Sequence, residues 1–154
     1  MKGNPEVIAI LNSLLADELG AISQYMVHSE MCEDWGFSKL HKAIEERAFT
    51  EMKHAESLIG RILFLGGIPT VTRPSPIVIG KDIVEQLKND LKSEEEAVEA
   101  YNKAIREIAH LGDGGSRSLV AHTLRDEESH LDWIETQLGL IEHLTLPVYL
   151  SKQL

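Results

Sequence analysis

At 154 residues the chain has room for one domain (1–154) with a sizeable core and hardly for two. Its formal charge of −10, from 25 acidic and 15 basic residues, argues against nucleic acid as a partner, because gripping phosphates takes clustered Lys and Arg. The single cysteine, Cys32, rules out an intrachain disulfide and any CxxC iron–sulfur or rubredoxin-type site, and no stretch reaches the roughly 18 apolar residues of a membrane span, so a soluble cytoplasmic protein is expected.

Aromatic residues make up only 5% of the chain, which favours an aliphatic, helical core over a β-sandwich. Asn4 is a good N-cap with Pro5 at the first helical position, and Val7, Leu11, Leu14, Leu15, Ile22 and Met26 then recur at helical spacing to about Asp34. This first helix would be roughly 45 Å long, with Gly36 as its stop. Ser38 can cap a second helix, carried by Leu40, Ile44, Ala48, Ala55, Leu58 and Ile62 and ended by Gly66-Gly67. The short link makes the two antiparallel. From Ile68 to Gly80 there are three prolines and no helical period, so this stretch reads as an extended connection able to cover roughly 40 Å. A β-strand at Ile77-Val78-Ile79 is the alternative. Asp82 and Glu85 resemble a capping box before a third helix through Leu87, Leu91, Val98, Tyr101 and Ile108. After Gly112-Asp113-Gly114-Gly115, Ser116 or Ser118 starts a fourth helix, and Thr145-Leu146-Pro147 restarts a short fifth with Thr145 as its cap. The expected fold is all-α: a four-helix bundle running up-down-down-up, with a long crossover between helices two and three.

Chemistry enters at Glu51-Met52-Lys53-His54. Residues three apart share a helix face, so the Glu51 carboxylate and His54 imidazole can reach one point, a donor pair suited to a first-row transition metal. Glu-x-x-His alone is a weak signal, but a second copy stands downstream, from Glu127 to His130. The offset that separates Glu51 from Glu127 also carries Glu18 to Glu94 and Tyr25 to Tyr101. Each half thus offers one lone Glu, one Tyr and one Glu-x-x-His.

Glu18 and Glu94 both fall within apolar stripes, where an ionised group is costly unless paired or metal-bound. Glu107 and His110 form a third Glu-x-x-His, but at the same offset upstream stand Met31 and Asp34, so that pair reads as an ordinary surface one. Four carboxylates are neutralised by two divalent ions, and without metal they would repel and raise some of their own pKa values. Glutamates from two helices and Glu-x-x-His from two others are the donor set of di-iron and di-manganese carboxylate bundles.

Across almost its whole length the chain resembles the bacterioferritins, in Met1-Lys2-Gly3, Glu51-Met52-Lys53-His54-Ala55, Arg61-Ile62-Leu63-Phe64-Leu65, Asp126-Glu127-Glu128 and Asp132-Trp133-Ile134-Glu135-Thr136-Gln137-Leu138. The resemblance implies a ferritin-like fold and hollow homo-oligomers of 24 subunits built from dimers. Such shells oxidise ferrous iron with O2 or peroxide at an intrasubunit di-iron centre and store ferric mineral. It implies two iron ions per subunit, with Glu51 and Glu127 bridging, Glu18 and Glu94 terminal, and His54 and His130 completing the ligand set. Tyr25 is the family's nearby electron-supplying tyrosine. Met52 points away from the Glu51 face and matches the family's haem ligand, one thioether from each of two subunits sharing haem b, with Leu19, Ile22, Met26 and Phe49 as apolar walls. A ferredoxin-type reductant would serve iron release.

Glu46 and Thr50 depart from the His and Asp that some members carry near an inner iron-transfer route. Arg47 could lower carboxylate pKa values or pair with Asp90. His28, His41, His122 and His143 have no counterpart in the repeat and are expected at the surface or at caps. The alternative functional reading is a rubrerythrin-like di-iron peroxidase without mineral storage, against which the missing CxxC module weighs. A further one is a non-catalytic helical assembly.

Overall fold

A computed structural model describes residues 1–71 and 77–154 of the chain. Five helices follow one another: α1 (Pro5–Asp34), α2 (Ser38–Phe64), α3 (Ile83–His110), α4 (Gly114–Leu144) and the short α5 (Leu146–Ser151). No strand occurs among the described residues, so Ile77-Val78-Ile79 is irregular. Of the expected extended crossover, residues 68–71 and 77–80 carry no regular structure, and residues 72–76 lie outside the described residues.

Helix directions follow from who meets whom. Gly3 N–H donates to Leu65 O at 2.8 Å, and His41 Nδ1 lies 3.0 Å from Ser29 O, so α1 and α2 run antiparallel. Tyr25 meets Glu94 whereas Tyr101 meets Glu18, making α1 and α3 antiparallel. Arg61 meets Asp113 and His54 meets Asp126, which does the same for α2 and α4. The bundle therefore runs up-down-down-up. Its long connection lies between α2 and α3.

Local chemistry sets the helix ends, not always through the residues expected. Asn4 caps α1 by accepting from Glu6 N–H, and Asp82 caps α3 by accepting from Glu85 N–H, as read from the sequence. Ser38 is not a cap, and Thr145 stands at the cap position of α5 without capping through its side chain. Ser38 is already the first residue of α2, whose cap position, Phe37, makes no side-chain bond. Thr145 holds φ at +69° and makes no side-chain bond to α5. For α4 the cap is Asp113 rather than either serine: its carboxylate accepts from Ser116 N–H at 2.9 Å and Ser116 Oγ at 2.7 Å, and Arg61 Nη2 donates to it at 2.9 Å. A carboxylate outcompetes a hydroxyl here because its two oxygens together take all three donors and it gains from the helix dipole.

The apolar core is divided in two. One cluster gathers Leu11, Leu15, Leu58, Ile62, Ile108 and Val120; the other gathers Cys32, Leu40, Ile44, Leu87, Ile134 and Tyr149. On every long helix the residues separating the two clusters include buried Glu or His: Glu18 on α1, Glu51 and His54 on α2, Glu94 on α3, Glu127 and His130 on α4. Each fully buried Leu or Ile contributes about 1.5–3 kcal/mol, so the clusters clamp this polar layer from both ends.

His28 corrects the expectation of a surface or cap role: it is 0% exposed. Gly80 N–H donates to its Nε2 at 3.0 Å, which leaves Nδ1–H to donate to Asp90 at 2.9 Å. Gln24 Nε2 donates to the same Asp90 oxygen at 2.8 Å. Asp90 is thus satisfied without Arg47, whose guanidinium lies 5.7 Å from the centre of the Trp133 ring. The network ties the end of the crossover to α1 and α3. Gly80 is needed there because a Cβ would stand 2.3 Å from Gln86 N.

Asp113→Ala should lower unfolding free energy by about 1–3 kcal/mol in urea titration, whereas Ser118→Ala, at an exposed position, should change it by less than about 0.5 kcal/mol. An equal loss from both would return the cap to the serine.

Candidate metal centre

The polar layer brings all six expected ligand residues together. Two groups of ligand atoms, each lying within 4.8 Å of one another, are formed by Glu18, Glu51, His54 and Glu127 and by Glu51, Glu94, Glu127 and His130. Glu51 and Glu127 belong to both. All six residues are buried, none more than 5% exposed. The helical spacing explains the convergence, since Glu51 and His54, like Glu127 and His130, lie three apart and project from one face.

Around His54 Nδ1 stand Glu127 Oε1 at 2.8 Å, Glu51 Oε2 at 3.2 Å and Glu18 Oε1 at 3.6 Å. Around His130 Nδ1 stand Glu51 Oε1 at 3.0 Å and Glu94 Oε1 at 3.5 Å. Closeness is not satisfaction: Glu18 Oε2, Glu51 Oε1, Glu94 Oε2, Glu127 Oε1 and His130 Nδ1 are buried without a hydrogen bond. Stranded buried acceptors on four carboxylates, converging with imidazole nitrogens, fit cations and fit nothing apolar. On its far side His54 Nε2 faces Asp126 Oδ2 at 2.8 Å, so Asp126 fixes the ring and turns Nδ1 toward the carboxylates.

Both tyrosines of the repeat sit on the layer, each crossed over to the other half. Tyr25 donates its hydroxyl to Glu94 Oε1, and Tyr101 donates to Glu18 Oε1. The sequence places Tyr25 close to Glu18 and Tyr101 close to Glu94; antiparallel packing of α1 on α3 exchanges the partners. A cavity of about 540 Å³ adjoins the centre between these helices, reaching Glu18, Glu51, Glu94, Glu127 and Tyr101 within and Asp17, Lys92 and Glu96 toward the surface.

Met52 is not part of this gathering. It is 42% exposed on the outer face of α2, and Phe49 and Met26 are each 54% exposed. Glu107 and His110 are exposed near the end of α3, as expected of a surface pair. Sequence reading missed Asp126 as a partner of His54. Its counterpart in the first half of the repeat is Thr50, so a search by repeat could not raise it.

Without a cation the layer stores protons. Burial pushes the Glu51 and Glu127 carboxyls well above the usual range, with Glu18 adding to the effect on Glu51 and Glu94 to that on Glu127. Burial works against charge on His54 too, but Glu127, Glu18 and Glu51 overcome it and hold the imidazolium far above ordinary histidine. Glu94 is also raised by burial, yet His130 and Glu127 bring it below the usual carboxylate range. Glu51 and Glu127 therefore keep protons that the unfolded chain has lost by about pH 5, and His54 one that it has lost above about pH 6.5. Both differences make stability fall as pH rises; Glu94 opposes them only at acid pH, where an ordinary glutamate would protonate. Metal-free protein should lose stability between about pH 5.5 and about pH 8, read as a falling melting temperature, on the order of 1.4 kcal/mol per pH unit, and Zn2+ should abolish the drop. A metal-free melting temperature that rises over this interval would contradict the assignment.

A ferritin-like domain model matches residues 8–144. Bacterioferritin from Brucella melitensis is 43% identical, over 92% of this chain and 88% of its own. That from Rhodobacter capsulatus is 42% identical, over 94% and 89%, and a bacterial ferritin from Pseudomonas aeruginosa is 44% identical over 100% of both chains. A shared fold, a near-complete overlap and identities above two-fifths leave one conclusion: the chain belongs to the bacterioferritin family of ferritin-like proteins.

Proposed function

We propose that the protein is a ferroxidase of an iron-storage shell, oxidising ferrous iron inside each subunit and holding the ferric product as mineral within a hollow oligomer. The observation that carries this reading is the pair of overlapping donor groups sharing Glu51 and Glu127. The relatives named bacterioferritin and bacterial ferritin support it. In this reading the assembly is cytoplasmic and has 24 subunits, with a ferredoxin-type reductant for release, and the same kinship supports it. No helix among the described residues is long and apolar enough to cross a membrane.

Ferrous iron is the substrate. Glu51 and Glu127 bridge two ions, Glu18 with His54 completes one position, and Glu94 with His130 completes the other. Four carboxylates offset the charge of two divalent ions, so the occupied layer is close to neutral, as a poorly solvated cavity requires. Each ion gives up one electron to the oxidant: two electrons and two protons bring O2 to the peroxide level, and two more of each, or peroxide itself as oxidant, end in water. The protein's own part is to hold the donors at their spacing before iron arrives. Asp126 orients His54, the tyrosines orient Glu18 and Glu94, and the two apolar clusters exclude bulk water.

Haem is the second cofactor in this reading. Met52 and Phe49 on α2 and Met26 on α1 are exposed apolar side chains that a second copy of the chain with haem between would cover. Met52 and its mate in the second copy would hold the iron, and bound haem would supply a one-electron relay between solution and mineral.

Glu18→Ala and His130→Ala should each slow the fast ferric absorbance change at two ferrous ions per chain by more than about 100-fold, and an unaltered fast phase in either would remove the residue from the centre. Met52→Leu should purify without haem yet keep that phase; haem retained at the parental level would refute the Met52 assignment. A dimer that turns over peroxide without mineral, seen by size exclusion, would favour the rubrerythrin-like alternative.

A further inference from the structure

Two of the chain's three tyrosines serve one layer, and they serve it in the same way. Tyr25 is 2% exposed and Tyr101 1% exposed, and each donates its hydroxyl to a carboxylate that belongs to only one of the two donor groups: Tyr25 to Glu94, Tyr101 to Glu18. They approach from opposite sides, Tyr101 from the apolar cluster around Leu11 and Ile62, Tyr25 from the cluster around Leu40 and Leu87. Tyr149, the third, is built differently. It donates to the neutral amide of Gln137 at 2.9 Å, among the residues of α5 and far along α4 from Glu127.

We infer that Tyr101 is a second electron donor to the reaction at the centre, equivalent to Tyr25, so that each iron position has its own phenol. The inference rests on the ferroxidase reading above. A phenol gives up an electron readily only when its proton has somewhere to go, and a facing carboxylate is that place. Both tyrosines meet the condition; Tyr149 does not.

The consequence is in the electron count. Reduction of O2 to two waters consumes four electrons and four protons. Two ferrous ions supply two electrons. Tyr25 and Tyr101 supply the other two, becoming phenoxyl radicals, while their protons pass to Glu94 and Glu18 and then, with two more from solvent, to oxygen. Two further ferrous ions and two protons return the radicals to phenols. Four ferrous ions are thus oxidised per O2, and no peroxide leaves the buried layer. With a single phenol the count stops one electron short.

The test compares the parent with Tyr25→Phe, Tyr101→Phe and the double variant, each loaded anaerobically with two ferrous ions per chain and mixed with excess O2. Freeze-quenched samples are read by electron paramagnetic resonance and released peroxide by a coupled dye. Tyr25→Phe should retain a tyrosyl signal that the double variant loses, and peroxide, absent from the parent, should appear in every variant. The inference is overturned if Tyr25→Phe already lacks the signal, or if the double variant keeps it. Zn2+ titration of the metal-free proteins separates electron donation from positioning. Tyr101→Phe should still bind two Zn2+ per chain, more weakly at the position Glu18 serves, and loss of one would overturn the inference by showing that the variant's altered signal reports an empty position rather than a missing donor. If the parent shows no fast ferric absorbance change, the ferroxidase reading falls and this inference with it. A fast change with no signal dependent on Tyr101 sinks this inference alone.

Discussion

Four carboxylates cannot be held ionised within a few ångströms of one another in the middle of an apolar bundle unless something positive joins them. Everything else in this chain bears on that constraint. The four long helices are needed because each contributes to the layer, and no two of them could supply it alone. The apolar clusters on either side exist as separate bodies because the layer divides them. The bonds from the buried Tyr25 and Tyr101 hydroxyls, and from Asp126 at the rim, fix carboxylate and imidazole atoms of the layer rather than serving the general stability of the fold. In the metal-free state the layer relieves its repulsion by retaining protons on Glu51 and Glu127, which makes proton release the natural counterpart of cation uptake.

The two halves of the centre are alike in donors but not in support. His54 is braced by Asp126, which is partly exposed at the rim of the layer, whereas the counterpart of Asp126 in the other half is Thr50, which bonds the backbone of its own helix at Glu46 O. The cavity also favours one side, lying between α1 and α3 with Asp17, Glu96 and Lys92 along it. A repeat in the sequence therefore yields pseudo-symmetry in the ligands and asymmetry in what surrounds them. On the outer face of α2 the repeat vanishes: Met52 has Glu128 as its counterpart, and Met52 and Phe49 are exposed there.

The bundle and its centre were largely legible because their signals are periodic. Apolar positions recur at helical spacing, and the constant offset between the halves tied four glutamates, two histidines and two tyrosines into one pattern. What escaped depends on partners distant in sequence. His28 looked unattached because its partners, Asp90 and Gly80, are brought to it by the crossover and α3. The exchange of tyrosine partners follows from antiparallel packing, which a local reading of Glu18 and Tyr25 cannot convey. The cap at Ser38 failed for a different reason: several residues near a helix start can cap it, and backbone geometry chooses among them, as it also leaves Thr145 at the cap position of α5 without a side-chain bond. Arg61 tipped that choice to Asp113 at the start of α4.

The divided core has a consequence for how such a chain can vary. Because both clusters and the layer between them hang on the same four helices, their angular positions are locked together. One residue inserted in α1 between Leu15 and Cys32 would turn everything beyond it by about 100° relative to what precedes it, leaving one cluster facing solvent or Glu18 facing oil. The middle of each helix is thus a fixed-length ruler shared by three bodies. A residue can be gained or lost without a change of phase only at the ends and the links.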